Sequence, residues 1–217
     1  MGGILMDEFR RRLMMIQAAD EGLDIEIPTI VGVYILGTDN KFYKRNKWNK
    51  TNDKAVGVAV IDPKSNFVIA PSVLDSKYGW SGQQILVQGI ATTSDENKAL
   101  NDYAGYNNTQ KIIEQDSQAN TAIGCRKYIF KNGLIGYLPA LGELNLITKY
   151  LRVINDCLLD IGSKAIGVDY NNDVYWSSTQ EDFNSAWRMY LNDGFAARDL
   201  KEELSFVLPV AKLQSNI

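Results

Sequence analysis

Residues 174–210 read VYWSSTQEDFNSAWRMYLNDGFAARDLKEELSFVLPV, in which three apolar anchors punctuate a polar filling. The anchors at 174–176, 186–187 and 206–210 predict core strands, because aromatic and β-branched residues suit a pleated, half-buried surface. Between them, 180–185 and 192–203 mix acids, amides, Arg198, Phe195 and Leu200 without a strand or helix period, so they read as loop surfaces held on a rigid frame. Alternation in Arg188-Met189-Tyr190-Leu191 turns Met189 and Leu191 inward and leaves Arg188 and Tyr190 outward. Asp193-Gly194 supplies turn chemistry that carries 195–200 back onto the same side. This predicts one exposed patch made by Arg188, Tyr190, Asn192, Asp193, Phe195, Ala197, Arg198, Asp199, Leu200 and Glu202. Trp176, Ala186, Trp187, Met189, Leu191 and Val207 are expected to face the core.

The composition narrows the partners. A chain of 217 residues with 45% hydrophobic content suits one main domain with a sizeable core. Lys and Arg number 23 against 26 acids, so a net charge of -3 gives no electrostatic reason to expect nucleic acid or an anionic membrane as partner. The chain has no histidine, which excludes Ser–His and Cys–His catalysis and removes the commonest zinc ligand. No apolar run is long enough to insert into a membrane, and the first residues lead into Asp7-Glu8-Phe9-Arg10-Arg11-Arg12 rather than a signal-peptide core, so synthesis in a bacterial cytoplasm without a signal peptide is expected. Cys125 and Cys157 form no CxxC motif; Cys157 sits in a helical pattern where a small buried residue is the natural reading, and no bridge is expected.

Along the chain, Phe9, Leu13 and Ile16 lie on one stripe of a short amphipathic helix over 7–19. Such a helix needs packing to persist, so the segment 1–26 is expected to dock on the domain or to attach or associate chains. A β-hairpin is predicted from 30–36 and 41–43 around Gly37-Thr38-Asp39-Asn40. The six basic residues within 41–54 read as a solvated loop with Phe42, Tyr43 and Trp48 turned inward. Further strands are predicted at 55–61 and 67–70, with a weaker one at 85–87, and Trp80 is expected to close over the core from a loop. Asn108 is expected to N-cap a helix running to about Gln115. A second helix opens at Leu138-Pro139, repeats Ile147, Tyr150 or Leu151, Ile154, Leu158 and Ile161, and stops at Gly162. Two helices between groups of strands make an α+β domain.

Tyr175-Trp176-Ser177-Ser178-Thr179, then Ala186-Trp187, then Val207-Leu208-Pro209-Val210 resemble the C-terminal signature of a C-type-lectin-like domain. Upstream, Asp102-Tyr103, Asn108-Thr109, Gly136-Tyr137-Leu138-Pro139 and Gly142-Glu143-Leu144 are similar to the same branch, shared by collagen-like bacterial adhesins and the variable proteins of diversity-generating retroelements. That family usually carries Arg in the terminal motif where this chain has Leu208. The resemblance covers roughly residues 100 to 210 and implies a C-type-lectin-like fold with two helices and antiparallel strands over 27–217. It also implies a non-enzymatic binder of a protein or glycan receptor on a target surface, displayed in several copies, with a phage particle as one possible carrier. Its ligand-binding residues would be the ten of the predicted patch, of which Arg188, Tyr190, Phe195 and Arg198 fall at positions that the resemblance marks as diversified.

Other chemistries are weaker. Asp169, Asn171 and Asp173 have the spacing that opens a calcium loop, but Val174 stands where the turn needs Gly and Gln180 where a bidentate Glu belongs, so a hairpin turn is expected and no metal or cofactor. Glu181, Asp182, Asp193 and Glu202 read as surface charge rather than as a glycosidase pair. The enzymatic alternative is the formylglycine-making oxidase of the same fold family, which uses paired cysteines, and neither Cys125 nor Cys157 occurs in a matching motif. A structural subunit of a phage or surface appendage is the remaining alternative.

Overall fold

The computed structural model describes residues 25–51, 53–169 and 173–214. The N-terminal helix expected over 7–19 and the Asn171 position lie outside the described residues. The chain folds as α+β. Antiparallel strands β1 (Gly32–Gly37), β2 (Phe42–Tyr43), β3 (Ala55–Ile61) and β4 (Asn66–Ile69) are followed by helices α1 (Glu96–Ala99), α2 (Gly105–Gln115) and α3 (Asn120–Lys127). Strand β5 (Gly136–Tyr137) leads into the long helix α4 (Leu141–Asp160), and β6 (Val174–Gln180), β7 (Ser185–Tyr190), β8 (Phe195–Leu200) and β9 (Val210–Lys212) complete the fold. One sheet has the order β2-β1-β3-β4-β9-β5, and a second has the order β6-β7-β8. No helix among the described residues is long and apolar enough to cross a membrane.

The continuous apolar run of β3 has a simple cause: both faces of its sheet are covered. One face sends Ile35, Val58, Val60, Phe67, Ile69 and Val210 against Leu144, Ile147, Ile154 and Leu158 of α4. Its other face packs Leu36, Ala59, Val68 and Ala211 beneath Ile25, Phe130 and Leu134. A third cluster joins Trp80 and Trp176 to Ile112 of α2 and Cys125 of α3. Cys125 and Cys157 are free, buried, and belong to different clusters.

The hairpin forms as expected, with Asn40 at φ 60 in its turn, and α4 stops as expected before Gly162 at φ +80, a backbone conformation that glycine adopts without strain. Trp80 is fully buried, and its indole donates to the Ser177 carbonyl at 2.8 Å. The basic loop also behaves as expected: Trp48 turns inward, while Arg45 and Lys50 are held by Asp160 at 2.8 and 2.7 Å. Asp173 closes the turn before β6 by accepting from the Val168 and Asp169 amides at 2.8 and 2.9 Å.

Several expectations are corrected. Residues 85–87 form no strand, because this segment is pinned through side chains, with the Gln180 carboxamide bonding both the N–H and the carbonyl of Val87. Asn108 is not an N-cap: α2 starts three residues earlier, and the buried Asn108 amide donates to Asp102 at 2.8 Å. Pro139 is not the first helical residue of α4, which begins at Leu141 after the N-cap Ala140; the Pro139 carbonyl instead accepts from the Ser178 amide. The helix α3 is not legible in the sequence, since NTAIGCRK shows little apolar period.

Glu143 locks the start of α4. Its carboxyl accepts from the Ala140 N–H at 2.8 Å, the return half of a capping box, and from the Tyr137 and Ser65 hydroxyls at 2.8 and 3.0 Å. Burial pushes its pKa up from 4.5 to about 7 despite those donors. Because the folded value is raised, the stability linked to this group is fully present below about pH 4.5 and is lost as pH rises through about 7. Urea unfolding of the wild type and of Glu143→Gln should therefore give a stability difference, wild type minus variant, that falls by on the order of 2–3 kcal/mol between pH 4.5 and pH 8. A difference that is flat or rises with pH would mean that the native group is ionised throughout.

Candidate ligand-binding surface

The candidate surface rests on β6, β7 and β8. In the β7–β8 pairing, Tyr190 lies opposite Phe195, Met189 opposite Ala196, Arg188 opposite Ala197, Trp187 opposite Arg198 and Ala186 opposite Asp199. One face of the pair carries Trp187, Met189 and Ala196, which join the core over α4 together with Tyr175. The six residues expected to face the core, Trp176, Ala186, Trp187, Met189, Leu191 and Val207, are all at most 2% exposed. The turn works as expected at Gly194, whose φ of +77 closes the hairpin while its backbone lies against Thr148 of α4. Asp193 supports it by accepting from the Phe195 amide at 2.9 Å.

The ten predicted site residues do not form one continuous face. Residues 195–200 are a strand and not a loop, and successive side chains of a strand point to opposite sides. Arg188, Tyr190, Phe195, Ala197 and Asp199 share one side of the β7–β8 pair. Arg198 and Leu200 leave on the other side, where Arg198 lies over the Trp187 ring at 5.5 Å and pairs with Glu181 at 2.6 Å. Asn192 and Asp193 sit in the turn, Asn192 half-buried and Asp193 exposed. Glu202 is exposed beyond β8, beside a water-sized cleft of about 20 Å³ that also borders Gln83, Asn184 and Leu200. The pleat therefore divides the predicted patch into a Tyr190–Phe195 face and an Arg198–Leu200 rim.

On the first face the Tyr190 and Phe195 rings stand 6.0 Å apart, and Phe195 is 61% exposed. Arg188 is less free than the sequence implies. Its guanidinium pairs with Asp199, donates to the Ser205 hydroxyl at 3.2 Å and lies over the Trp176 ring, so it closes one edge of the face. Trp176 is itself held by carbonyls of Tyr78 and Glu203 on loops that cover its end of the sheet.

Lys201 has a role that the sequence does not disclose. Among neighbouring acids it reads as a surface residue, yet it is 2% exposed, lies over the Trp80 ring at 4.5 Å and donates to Ile85 O, Gln180 Oε1 and Phe183 O at 2.6, 3.2 and 3.3 Å. Burial pushes its ammonium down to about 8, while Asp116 and Asp182 pull in the opposite direction. The lysine ties three segments behind the end of β8. The neighbouring acids are also structural: Asp182 accepts from the Asn184 and Ser185 amides at 2.9 and 2.8 Å.

No family model matches the chain, and no curated protein matches it. The crystal structure of a fimbrial protein from Bacteroides ovatus ATCC 8483, at 1.85 Å resolution, is similar in fold, with a TM-score of 0.57 and 17% sequence identity. The match covers 85% of this chain and 49% of the fimbrial protein, so this chain spans about half of that protein's length.

Two stability measurements follow from this geometry. Trp187→Ala should destabilise the fold by about 3–5 kcal/mol, the cost of emptying a buried indole site, whereas Phe195→Ala should stay within about 0.5 kcal/mol of wild type in the same denaturant melt. Equal losses would mean that the two faces are wrongly assigned. Lys201→Met should cost about 1–3 kcal/mol by removing the bonds to the Ile85 and Phe183 carbonyls and leaving Gln180 Oε1 with the Val87 amide alone. A Lys201→Met protein as stable as wild type would show that those contacts contribute nothing net.

Proposed function

We propose that this chain is a non-enzymatic ligand- or receptor-binding protein of the C-type-lectin-like class, whose β7–β8 surface engages a protein or glycan receptor on a target cell. The observation that carries this reading is the ring pair of half-buried Tyr190 and exposed Phe195 on a strand hairpin whose opposite face is locked into the core. Large aromatic side chains held on a rigid frame supply contact area at low entropic cost, and such residues dominate binding energy at interfaces. Arg188, Asn192, Asp193, Ala197 and Asp199 surround the pair, and Arg198, Leu200 and Glu202 extend it at the rim. Because the frame is stabilised from the other side of the pleat, Tyr190, Asp193, Phe195 and Ala197 tolerate changed side chains, which is what diversification by a retroelement requires.

Several observations support the class. Asp102, Asn108, Ser178 and Thr179, which belong to the motifs behind the resemblance, meet in one buried hydrogen-bond network. The likeness to a fimbrial protein suits a surface or adhesion role. The enzymatic alternative needs reactive thiols, and burial pushes the Cys125 thiol well above its ordinary pKa and Cys157 up to about 11, both away from thiolate chemistry. The same fimbrial likeness favours, as a second reading, a structural subunit of a surface appendage, in which a neighbouring chain would cover the Tyr190–Phe195 face.

Fluorescently labelled protein tested against a panel of bacterial surfaces separates these readings. A receptor binder should label particular cells and lose at least about tenfold in affinity on Tyr190→Ala or Phe195→Ala at unchanged melting temperature. Self-assembly that those substitutions abolish, without cell labelling, would favour the subunit. In the neighbouring DNA, a reverse transcriptase gene and a near-copy of the stretch encoding 175–210, differing mainly at adenines, are the expected marks of diversification.

A further inference from the structure

A cleft of about 230 Å³ opens where the β3–β4 turn, the first turn of α2 and strand β9 come together, and it contains no residue of the 188–202 stretch. Its floor is the buried pair Tyr137 and Glu143, whose carboxyl is occupied by the Tyr137 and Ser65 hydroxyls and the Ala140 N–H. Its walls are the half-buried rings of Tyr103 and Tyr106. Two exposed lysines complete it, with Lys64 Nζ 5.5 Å from the Tyr103 ring centre and Lys212 Nζ 5.5 Å from that of Tyr106. The buried Arg126 lies 5.1 Å from the Tyr106 ring and adds to the positive field.

The charge balance is one-sided. Among the described residues neither Lys64 nor Lys212 has a carboxylate partner. The nearest other acid along the β3–β4 turn, Asp62, is already bonded by Lys149 and Tyr150, both at 2.9 Å. Two ammonium groups thus face a small cleft that has flat aromatic walls, the exposed side chain of Asn107 at its edge and no unbonded carboxylate. Drug-sized ligands occupy sites of about 300 Å³ and more, so the occupant is the size of a single sugar. From this geometry we propose that the cleft is a second ligand site, separate from the β7–β8 surface, which takes a carboxylate-bearing monosaccharide of the uronic-acid type. The carboxylate replaces the tyrosine rings as partner of Lys64 and Lys212, and the apolar face of the pyranose packs on Tyr103 or Tyr106. Asn66 and Asn107 are placed for the hydroxyls.

Calorimetric titration of the full chain with D-glucuronate tests this, with D-glucose as the neutral analogue and inorganic phosphate as the bare anion. Glucuronate should bind with a dissociation constant of roughly 1 mM, and glucose and phosphate at least about tenfold more weakly. The double substitution Lys64→Ala, Lys212→Ala should weaken glucuronate binding by about tenfold or more at an unchanged melting temperature, while Phe195→Ala leaves it unaltered. No binding of glucuronate, glucose bound equally well, or full affinity in the double variant would overturn the proposal. Phosphate binding as tightly as glucuronate would reduce the site to a charge contact and overturn its assignment to a sugar. Loss of binding in Phe195→Ala would move the sugar to the other surface, with the same consequence. Since neither lysine belongs to the β7–β8 surface, failure here leaves the receptor-binding reading standing.

Discussion

Four consecutive polar residues that end β6, Ser177 to Gln180, are completely buried, and satisfying them constrains how the C-terminal half is put together. Unbonded polar groups at such sites would each cost on the order of 1–3 kcal/mol, so each must find a partner. Ser177 Oγ donates to the Trp187 carbonyl at 2.7 Å, and Asn108 donates to Ser178 Oγ at 3.3 Å. Thr179 Oγ1 donates to Asp102 at 2.7 Å while accepting from the Leu141 amide at 3.0 Å. Gln180 holds Val87, Thr92 and Lys201. These bonds draw α2, the start of α4 and the 80s loop onto one strand. They also explain the irregular pairing of β6 with β7: Trp176 pairs with Arg188 and Gln180 with Ala186, so three residues of β6 stand opposite the single Trp187.

The bulge and the pleat together decide what the surface can present. At the bulge β6 directs backbone donors away from β7, with the Ser178 and Gln180 amides bonding the Pro139 and Ala91 carbonyls. The β7–β8 hairpin is then held from behind by the core face of Trp187, Met189 and Ala196 and, at its far end, by Lys201. What remains toward solvent is a strand face of alternate residues. Its chemistry is aromatic near the turn and ionic at the Arg188–Asp199 end. A surface built in this way can change its side chains without changing its frame.

The sequence discloses the parts whose burial follows a local period. The apolar runs of β1, β3 and β4, the helical spacing in α4 and its stop at Gly162 are legible because one element supplies the whole pattern. The alternation from Arg188 to Leu191 discloses the core face of β7 for the same reason. Strand β8 is not legible, since only Ala196 is buried along it and one buried residue makes no period. Lys201 is hidden too, because two of its acceptors, Ile85 and Gln180, come from distant segments of the chain. Asn108 has the residue type and local sequence of a helix cap, but its side chain answers to Asp102 and Ser178, partners that exist only once α2 meets β6.

The central claim is that the frame and the proposed recognition face are energetically separate, and a folding screen of two libraries tests it most directly. In one library Tyr190, Asp193, Phe195 and Ala197 are randomised together; in the other, Trp187, Met189, Leu191 and Ala196. With folded members counted by protease resistance, the account predicts that most members of the first library remain folded and that few of the second do. A first library that unfolds as extensively as the second would contradict it.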